Sequence, residues 1–331
     1  MIYYPKKVNL EQTSSEITAE YKASLIEGNT IADITGGFGV DSYYFSKQAE
    51  QATHFEINES LSKIAAHNFK QLHATNIRCK TENGIDAIKK ENYDTIFVDP
   101  SRRHETKGKV FFLHDCEPNI PQHLPEVLNA CDLLMLKTAP MLDISAGLEE
   151  LKHVFQIHIV AVNNEVKELL WLLKKDYNGE IEIITKNFKK TNTETYSFIY
   201  GKSSEPFYDE PKRFLYEPNA AILKSGGFNL ISEDFKLKKL HRNTHLYTSE
   251  ALRDFPGRRF IIEKILPYSK KELKKEQIEK ANITTRNFQE SVSAIRKKFT
   301  IKDGGDVYLF FTTIHPSKKV VLICSKVKNS I

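Results

Sequence analysis

The sequence lacks the features that mark membrane proteins, secreted proteins and zinc proteins. It contains no run of about 18 or more apolar residues, so we expect no membrane-spanning helix. Residues 1–7 contain no apolar core, so we expect no secretion signal. Only four cysteines occur, and no two of them form a Cys-x-x-Cys pair, so neither a disulfide framework nor a zinc site is indicated. We therefore predict a cytoplasmic protein with reduced thiols and no metal.

Charge is plentiful, but its sign changes along the chain. Residues 201–331 hold 26 Lys and Arg against 15 Asp and Glu, a net charge of +11, whereas residues 1–200 hold 22 against 28, a net charge of −6. The length of 331 residues favours two domains. A basic module beside a mildly acidic one is typical of a polyanion-binding domain attached to a catalytic domain, and a solvated lysine-rich surface is the alternative. We predict domains at 1–200 and 212–331, joined by a linker at 201–211.

Glycines follow the first predicted strand at residues 31–41. The apolar residues there indicate the end of a buried strand, and Gly37-Phe38-Gly39 then turns the chain tightly before a helix. The acid Glu56 follows the next apolar run, where a carboxylate suits the two hydroxyls of a ribose. A strand, a glycine turn and a helix N-terminus together predict a nucleotide-binding corner, and a purely structural turn is the alternative.

Strands and helices alternate from residue 30 to 137, which predicts a parallel, doubly wound Rossmann-like sheet. Ligands of such sheets bind at the carboxyl ends of the strands, where the polar residues of this sequence cluster. We interpret Trp171 as a core residue, and the last strands fit an antiparallel edge. The predicted strands are 30–34, 52–56, 76–80, 94–98, 132–137, 155–162, 181–188 and 195–200, and the predicted helices are 9–27, 41–49, 59–72, 84–90, 121–130 and 165–175.

The spacing Asp33-x-x-x-Gly37-x-Gly39, with Ser42 in place of a third glycine, resembles the first motif of class I S-adenosylmethionine-dependent methyltransferases. The resemblance implies that Asp33 lies near the methionine end of S-adenosylmethionine and that Glu56 holds its ribose. It also places an Asn or Asp after the third strand beside the adenine amino group, although an ordinary Asn-Gly turn is the alternative here. The cofactor-binding residues that follow are Asp33, Thr35, Gly36, Gly37, Gly39, Glu56, Asn83 and Gly84.

A second motif, Asp99-Pro100-Ser101-Arg102-Arg103, ends the fourth predicted strand. In the resembled family this is the substrate-facing motif, often Asp or Asn, then Pro-Pro and an aromatic residue, in enzymes that methylate a base nitrogen. Ser101 replaces the second proline here, and Arg102 replaces the aromatic residue. Asp99 and Pro100 are therefore the predicted catalytic residues. Arg102 and Arg103 are predicted to bind a phosphate or a base edge, with surface salt bridges as the alternative.

The segment 104–125 is predicted to be a long loop of the kind that often covers a substrate. It contains Cys116, which is either an inert thiol or a nucleophile for methylation at carbon. In the N-terminal helix, Thr13 or Ser14 is the predicted cap, and the predicted buried stripe is Ile17, Tyr21, Leu25 and Ile26. The hydroxyl groups of Ser14, Ser15 and Thr18 either serve only the helix start or lie over the methionine end of the cofactor.

Residues 212–331 have an α+β pattern that ends in a predicted hairpin of 306–313 and 319–324. This part resembles the THUMP-like domain of a small bacterial methyltransferase family, in which Asp-Pro-Ser/Ala-Arg-Arg also replaces the usual motif. The resemblance covers nearly the whole chain and, by analogy, implies an RNA partner. Candidate phosphate contacts are Arg258 and Arg259, the cations of the run 264–280, and Arg296, Lys297 and Lys298.

These observations predict an S-adenosylmethionine-dependent methyltransferase that acts on a base of tRNA or rRNA. The alternatives are methylation of a small molecule or protein, or a non-catalytic RNA-binding protein that retains the cofactor pocket. An NAD-dependent oxidoreductase is disfavoured, since Ser42 occupies the position of the third glycine.

Overall fold

A computed structural model describes residues 1–4, 13–102 and 112–327. The chain forms two compact units, Met1–Lys190 and Thr191–Ile331. The boundary between these units lies after Lys190, before the predicted end of the first domain at residue 200. The predicted domain limits and the linker stay a prediction. Across the described ranges, no helix combines the length and the apolar character needed to cross a membrane.

The first unit is built on a sheet whose strands run, from one edge, β3-β2-β1-β4-β7-β9-β8-β10. All neighbouring pairs are parallel except those of β9, which is antiparallel to both β7 and β8. The chain order reverses at β1, which lies between β2 and β4, so the carboxyl ends of β1 and β4 flank the crevice where such sheets bind ligands. The predicted doubly wound α/β fold is confirmed. The elements are α1 (Glu16–Ala23), β1 (Thr30–Asp33), α2 (Val40–Phe45), β2 (Gln51–Phe55), α3 (Glu59–Gln71), β3 (Ile77–Lys80), α4 (Gly84–Ala87), β4 (Tyr93–Val98), β5 (Ser101–Arg102), a 3₁₀ turn (Leu113–Asp115), β6 (Cys116–Glu117), α5 (Ile120–Asn129), β7 (Cys131–Thr138), α6 (Ile144–Glu150), β8 (Val154–Val162), β9 (Glu165–Leu173) and β10 (Glu182–Phe188).

The prediction of a helix at 165–175 is wrong, because this segment forms β9. Its second half, Leu-Leu-Trp-Leu-Leu, is buried on both faces between β7 and β8 and therefore shows no alternation of apolar and polar residues. A continuous apolar run of this kind cannot be distinguished from a buried helix by periodicity alone. Trp171 is fully buried, as predicted, and its Nε1 donates to Thr138 Oγ1 at 2.9 Å.

Helix α1 is shorter than the predicted 9–27 and buries a different face, although residues 9–12 lie outside the described part of the chain. Ser15 is the N-cap, where we expected Thr13 or Ser14, and its side chain accepts from Thr18 N. The predicted buried stripe was Ile17, Tyr21, Leu25 and Ile26. Instead Ile17 is 42% exposed, and the buried residues are Thr18, Ala19, Lys22 and Ala23. An apolar pattern could not identify this face because its central residue is a lysine.

The second unit is an α+β domain, as predicted, with a sheet in the order β13-β14-β12-β15-β18-β17-β16. Only β16 and β17 are parallel, and β17 and β18 form the predicted C-terminal hairpin. A core rich in aromatic residues, among them Phe260, Phe310 and Phe311, lies against this sheet. The elements are β11 (Thr193–Ile199), β12 (Phe214–Pro218), α7 (Ala220–Ser225), α8 (Phe228–Asp234), β13 (Lys238–Lys239), β14 (Tyr247–Ser249), β15 (Gly257–Pro267), α9 (Lys270–Lys275), β16 (Lys280–Arg286), α10 (Val292–Phe299), β17 (Lys302–Ile314) and β18 (Lys318–Lys326).

Candidate functional site

In the glycine loop between β1 and α2, the positions of Gly36 and Gly39 are packed so closely that neither has room for a Cβ. Gly39 is the N-cap of α2 and has a φ of 87°, a left-handed conformation that favours glycine. A Cβ on Gly39 would lie 2.4 Å from Cζ of Phe69, and a Cβ on Gly36 would lie 2.2 Å from Cε1 of His54. The loop therefore rests on two buried rings, which leaves its outer backbone facing the crevice. Within the part of the chain that the structure describes, Gly37, at a φ of 56°, has no close neighbour apart from the loop itself.

Asp33 ends β1 beneath this loop and is 2% exposed. Its Oδ1 accepts from Thr35 N at 3.2 Å, and its Oδ2 accepts from Ser42 Oγ at 2.6 Å. Burial raises the pKa of Asp33 to about 7, because leaving water disfavours the charged carboxylate. The hydrogen bond from Ser42 opposes this rise, whereas the nearby charges of Asp41 and Asp99 add to it. The carboxyl group is thus close to half-protonated at neutral pH.

His54, on β2, extends this hydrogen-bonded chain. Ser42 Oγ lies 2.9 Å from His54 Nδ1. Because the Ser42 hydroxyl donates to Asp33, its oxygen is left to accept from Nδ1–H of the imidazole. Burial lowers the pKa of His54 to about 4, so the ring is neutral at pH 7. The ring therefore supports the loop as a neutral donor.

Glu56 follows β2 and connects it to the glycine loop. Its Oε2 accepts from Gly37 N at 2.9 Å, and its Oε1 accepts from Asn58 N at 2.7 Å. The carboxylate is half-buried and keeps further acceptor lone pairs that face the same corner. Asp33, the glycine loop and Glu56 therefore lie together, as the sequence predicted.

Asn83 and Gly84 lie at the corresponding position after β3. Asn83 is the N-cap of α4, and its Oδ1 accepts from Ile85 N at 2.9 Å and from Asp86 N at 3.4 Å. A Cβ on Gly84 would lie 2.5 Å from the carbonyl oxygen of Ile34, so this turn packs directly on the end of β1. Asn83 Oδ1, which was predicted to accept from the adenine amino group, caps α4 in this structure. The contact of Asn83 with adenine stays a prediction.

Asp99 extends from the carboxyl end of β4 into the same crevice. Its backbone N donates to Thr35 Oγ1 at 2.7 Å, which joins the Asp-Pro motif to the glycine loop. Its Oδ2 accepts a very short hydrogen bond from Nζ of Lys137, at the end of β7. Burial by itself would lower the pKa of Lys137. The carboxylates around the ammonium outweigh that effect and raise the pKa of Lys137 to about 12. Burial raises the pKa of Asp99, and the ammonium of Lys137 acts against that shift.

The rest of the Asp-Pro motif leaves the crevice as a short ribbon. Pro100 is half-buried, and β5 pairs antiparallel with β6, with Arg102 opposite Cys116. Cys116 is fully buried, as expected of an inert thiol. The Arg102 side chain and the whole of Arg103 lie outside the described part of the chain, as do residues 104–111 of the predicted loop.

A buried ion network closes the crevice from the side of α1. Lys22 is completely buried, and its Nζ donates to both carboxylate oxygens of Glu168, on β9, at 3.0 Å each. The same Nζ donates to Ser14 Oγ at 3.0 Å and lies 3.2 Å from Oδ1 of Asp41. Ser14 Oγ in turn donates to Asp41 Oδ2 at 2.8 Å. Burial raises the pKa of Glu168, and the ammonium groups of Lys22 and Lys137 oppose that rise.

Sequence reasoning missed four members of this site: Lys22, Asp41, Lys137 and Glu168. Lys137 could have been found, because it is a polar residue at the carboxyl end of a predicted parallel strand. Lys22 and Glu168 could not have been found. Lys22 lies on α1, whose buried face was predicted incorrectly, and Glu168 lies on β9, which was predicted to be a helix. Around the loop, carboxylates outnumber ammonium groups.

The predicted phosphate contacts Arg296, Lys297 and Lys298 lie on α10 of the second unit. Arg296 donates to Asp303 and to the carbonyl oxygens of residues 281 and 301 at 3.2 and 3.3 Å. Lys298 donates to Glu290 at 3.1 Å and to the hydroxyl of residue 268 at 2.7 Å. Lys297 is exposed and has no partner among the described residues. A role in substrate binding stays a prediction for all three.

Comparisons with solved structures and with family models agree with this architecture. A crystal structure of a "putative methyltransferase" from Porphyromonas gingivalis W83 superposes with a TM-score of 0.91 at 34% sequence identity, covering 99% of this chain and 84% of that chain. Family models match a ferredoxin-like domain at residues 214–256 and a THUMP domain-like region at residues 257–326. No curated protein matches the chain in sequence.

Other solved structures are similar over about half of the chain. An O-methyltransferase from Bacillus cereus, in complex with SAH, covers 53% of this chain and 94% of that chain, with 12% identity and a TM-score of 0.39. An rRNA methylase from Streptococcus thermophilus covers 48% and 94%, with 15% identity and a TM-score of 0.35. Similarity at these scores does not bear on function.

Proposed function

Because this chain belongs to a family of methyltransferases with a THUMP-like C-terminal domain, we propose that it transfers a methyl group from S-adenosylmethionine to a base of RNA. The proposal has two parts, the cofactor and the acceptor, and different observations support them.

The charge of the crevice is the observation that supports the cofactor. Carboxylates of Asp33, Asp41 and Glu56 surround the glycine loop. Such a loop repels the pyrophosphate of a dinucleotide and attracts a ligand that carries a sulfonium and an ammonium group. Glu56, bonded to the loop backbone, would hold the ribose hydroxyls, and Asp33 would face the methionine end. These residues fit S-adenosylmethionine better than NAD.

When bound, S-adenosylmethionine supplies an electrophilic methyl group on its sulfonium. The protein has to orient the acceptor and exclude water, and this chemistry requires no metal. Asp99 would accept a hydrogen bond from the attacking group, and Lys137 holds its carboxylate in place. Pro100 fixes the exit of the chain, and Arg102 and Arg103 would bind a phosphate or a base edge of the acceptor.

The basic character of the second unit supports RNA as the acceptor, together with its THUMP-like match. We expect mass spectrometry of nucleosides from cells with and without the gene to show one methylated base that depends on it. Unchanged nucleosides would contradict RNA as the acceptor and favour a small molecule, a protein or a non-catalytic role.

Replacing Glu56 by Ala should weaken S-adenosylhomocysteine binding at least tenfold while the fold is kept. A hydrogen bond to a charged group contributes about 1.5–3 kcal/mol, and the ribose would lose at least one. Isothermal titration calorimetry measures the affinity, with Glu59→Ala as the matched control because Glu59 is exposed three residues further on. A wild-type affinity for Glu56→Ala would remove Glu56 from the site. Thermal stabilisation by NAD but not by S-adenosylhomocysteine would overturn the cofactor itself.

Binding of S-adenosylmethionine should release protons near pH 7. Because burial raises the pKa of Asp33 to about 7, the free protein holds about half a proton there at that pH. A cationic ligand favours the charged carboxylate and expels this proton, so affinity should rise as pH rises through 7. Calorimetry in two buffers with different ionisation enthalpies measures the release, and Asp33→Asn is the control that should abolish it. No release in the wild-type protein would contradict a cation beside Asp33.

A further inference from the structure

Four segments of the second unit converge around β13 and the turn that follows it. Lys239 N donates to Phe207 O at 2.9 Å, and His315 N donates to Leu240 O at 2.7 Å. Nδ2 of Asn287 lies 3.0 Å from Nδ1 of His241. We name the side chains that these segments present the histidine face; it consists of Tyr208, His241, Arg242, Asn287 and His315.

A buried cation lies beneath this face, and it has no carboxylate partner in residues 1–4, 13–102 and 112–327. Lys239 is 2% exposed, and its Nζ donates to Asn229 Oδ1 and to the carbonyl oxygen of Arg242, both at 3.1 Å. No Asp or Glu of the described ranges forms an ion pair with it. Burial lowers the pKa of Lys239 to about 8, so the ammonium is still mostly charged at pH 7. An unpaired buried charge is costly to folding, and here it holds the turn that carries Arg242.

Nearby cations help to lower the pKa values of two imidazoles next to Lys239. The pKa of His245 is lowered to about 4, mainly by burial, with Lys239 and Arg286 acting in the same direction. Burial also lowers the pKa of His241, His315 and then Lys239 and Arg242 act in the same direction, and a hydrogen bond with the backbone of Pro316 opposes them. In contrast, several other cations of this unit are paired with carboxylates: Arg258 and Arg286 with Glu217, Arg296 with Asp303, and Lys298 with Glu290.

The histidine face also offers flat groups and neutral hydrogen-bonding groups. The rings of Tyr208 and His315 stack with centroids 5.3 Å apart and planes at 11°, and both residues are exposed. Arg242 and Asn287 are exposed beside them, and the guanidinium of Arg242 has no partner among the described residues. Cations that are not neutralised, next to stacking rings, are the combination that binds single-stranded nucleic acid.

We propose that the histidine face binds an unpaired segment of RNA, with a phosphate at Arg242 and a base stacked against the Tyr208–His315 pair. Lys239 is a positioning residue, because it contributes charge from below and fixes the turn without reaching the ligand. This inference rests on the proposed RNA acceptor and locates its binding at residues other than Arg296, Lys297 and Lys298. An acidic peptide would use the cations but would not need the stacked rings.

The test compares two charge reversals in the full chain. Arg242→Glu should weaken binding of single-stranded RNA about tenfold and reduce the slope of log affinity against log salt by roughly 0.7, the share of one phosphate in a single strand. Lys302→Glu, also an exposed reversal in the same unit and outside the predicted phosphate contacts, is the matched control and should leave affinity nearly unchanged. Fluorescence anisotropy with a labelled tRNA-derived single strand measures both variants, from low to moderate salt.

The outcomes separate this inference from the proposed function. Equal affinity of Arg242→Glu and wild type, with RNA still bound, would overturn the histidine face but keep the RNA acceptor. Absence of RNA binding by the wild-type chain would overturn both. Tighter binding of a poly-glutamate peptide than of RNA would also contradict the inference.

A second variant tests the positioning role of Lys239. Lys239→Met removes the buried charge at similar size, so the protein should stay folded, with a melting temperature equal to or above that of the wild type. Its RNA affinity should nevertheless fall several-fold, because the turn of Arg242 loses its anchor. A folded Lys239→Met protein with wild-type RNA affinity would exclude that role.

Discussion

Replacing Asp99 by Asn should lower methyl transfer about a hundredfold or more while cofactor affinity changes little. Asp99 extends from β4 to the crevice, where it is bonded to the glycine loop and to Lys137. A carboxylate that accepts a proton or a hydrogen bond from the attacking group contributes about 10²–10⁴ to the rate. The Asn side chain keeps the shape of Asp, but its amide NH2 donates a hydrogen bond where a carboxylate oxygen of Asp99 accepts one. The substitution should therefore lower the rate of methyl transfer.

Asn is a better substitution than Ala for this test. Ala would leave the half-buried ammonium of Lys137 without its closest partner, which would add a loss of stability to the effect on turnover. Asp132→Asn is the control, because Asp132 is exposed at the opposite end of β7. Single-turnover methyl transfer and calorimetry with S-adenosylhomocysteine give the two readouts. Lost cofactor binding in a folded Asp99→Asn protein would move Asp99 into the cofactor site, and full activity would exclude a catalytic role.

Replacing Lys22 by Met should lower the free energy of unfolding of the first unit by about 3–5 kcal/mol. The substitution leaves the buried Glu168 and the half-buried Asp41 without the ammonium that now lies within 3.2 Å of both. The double variant Lys22→Met/Glu168→Leu should recover much of this loss, because a buried ion pair is often replaceable by apolar groups.

The only tryptophan makes this experiment selective. Trp171 is buried in β9 of the first unit, so its fluorescence during urea unfolding reports that unit rather than the second. Lys175→Met is the control; Lys175 is exposed just beyond β9 and its loss should cost less than about 0.5 kcal/mol. A similarly small effect for Lys22→Met would show that the network does not stabilise the unit.

Much of the site was predictable from the sequence because α/β sheets bring the ends of parallel strands to one edge. Asp33, Glu56 and Asp99 each follow a short apolar run, and the structure joins all three to the glycine loop. The glycines themselves were predictable because only a residue without a Cβ fits where Gly36 and Gly39 meet rings. Local pattern and chain order suffice for such features.

Tertiary structure alone decided the partners of these residues. Lys22 joins Glu168 across 146 positions of sequence, and Lys137 joins Asp99 across 38, and no local pattern encodes such pairings. The burial of charged residues could not be predicted from local pattern either. Glu168 lies in a segment that was predicted to be a helix, and nothing in the sequence around Lys239 distinguishes it from an exposed lysine.

The sequence by itself determined the two-part organisation, the parallel sheet and the glycine corner, because these depend on apolar periodicity, on glycine and on the order of elements along the chain. The tertiary structure decided which cations are neutralised and which are not. The candidates Arg296 and Lys298 are paired within their own unit, whereas Arg242 is exposed above a buried lysine that has no carboxylate partner among the described residues. The physical reason is that the free energy of a charge depends on the charges and the water around it, and folding brings these together from distant parts of the chain.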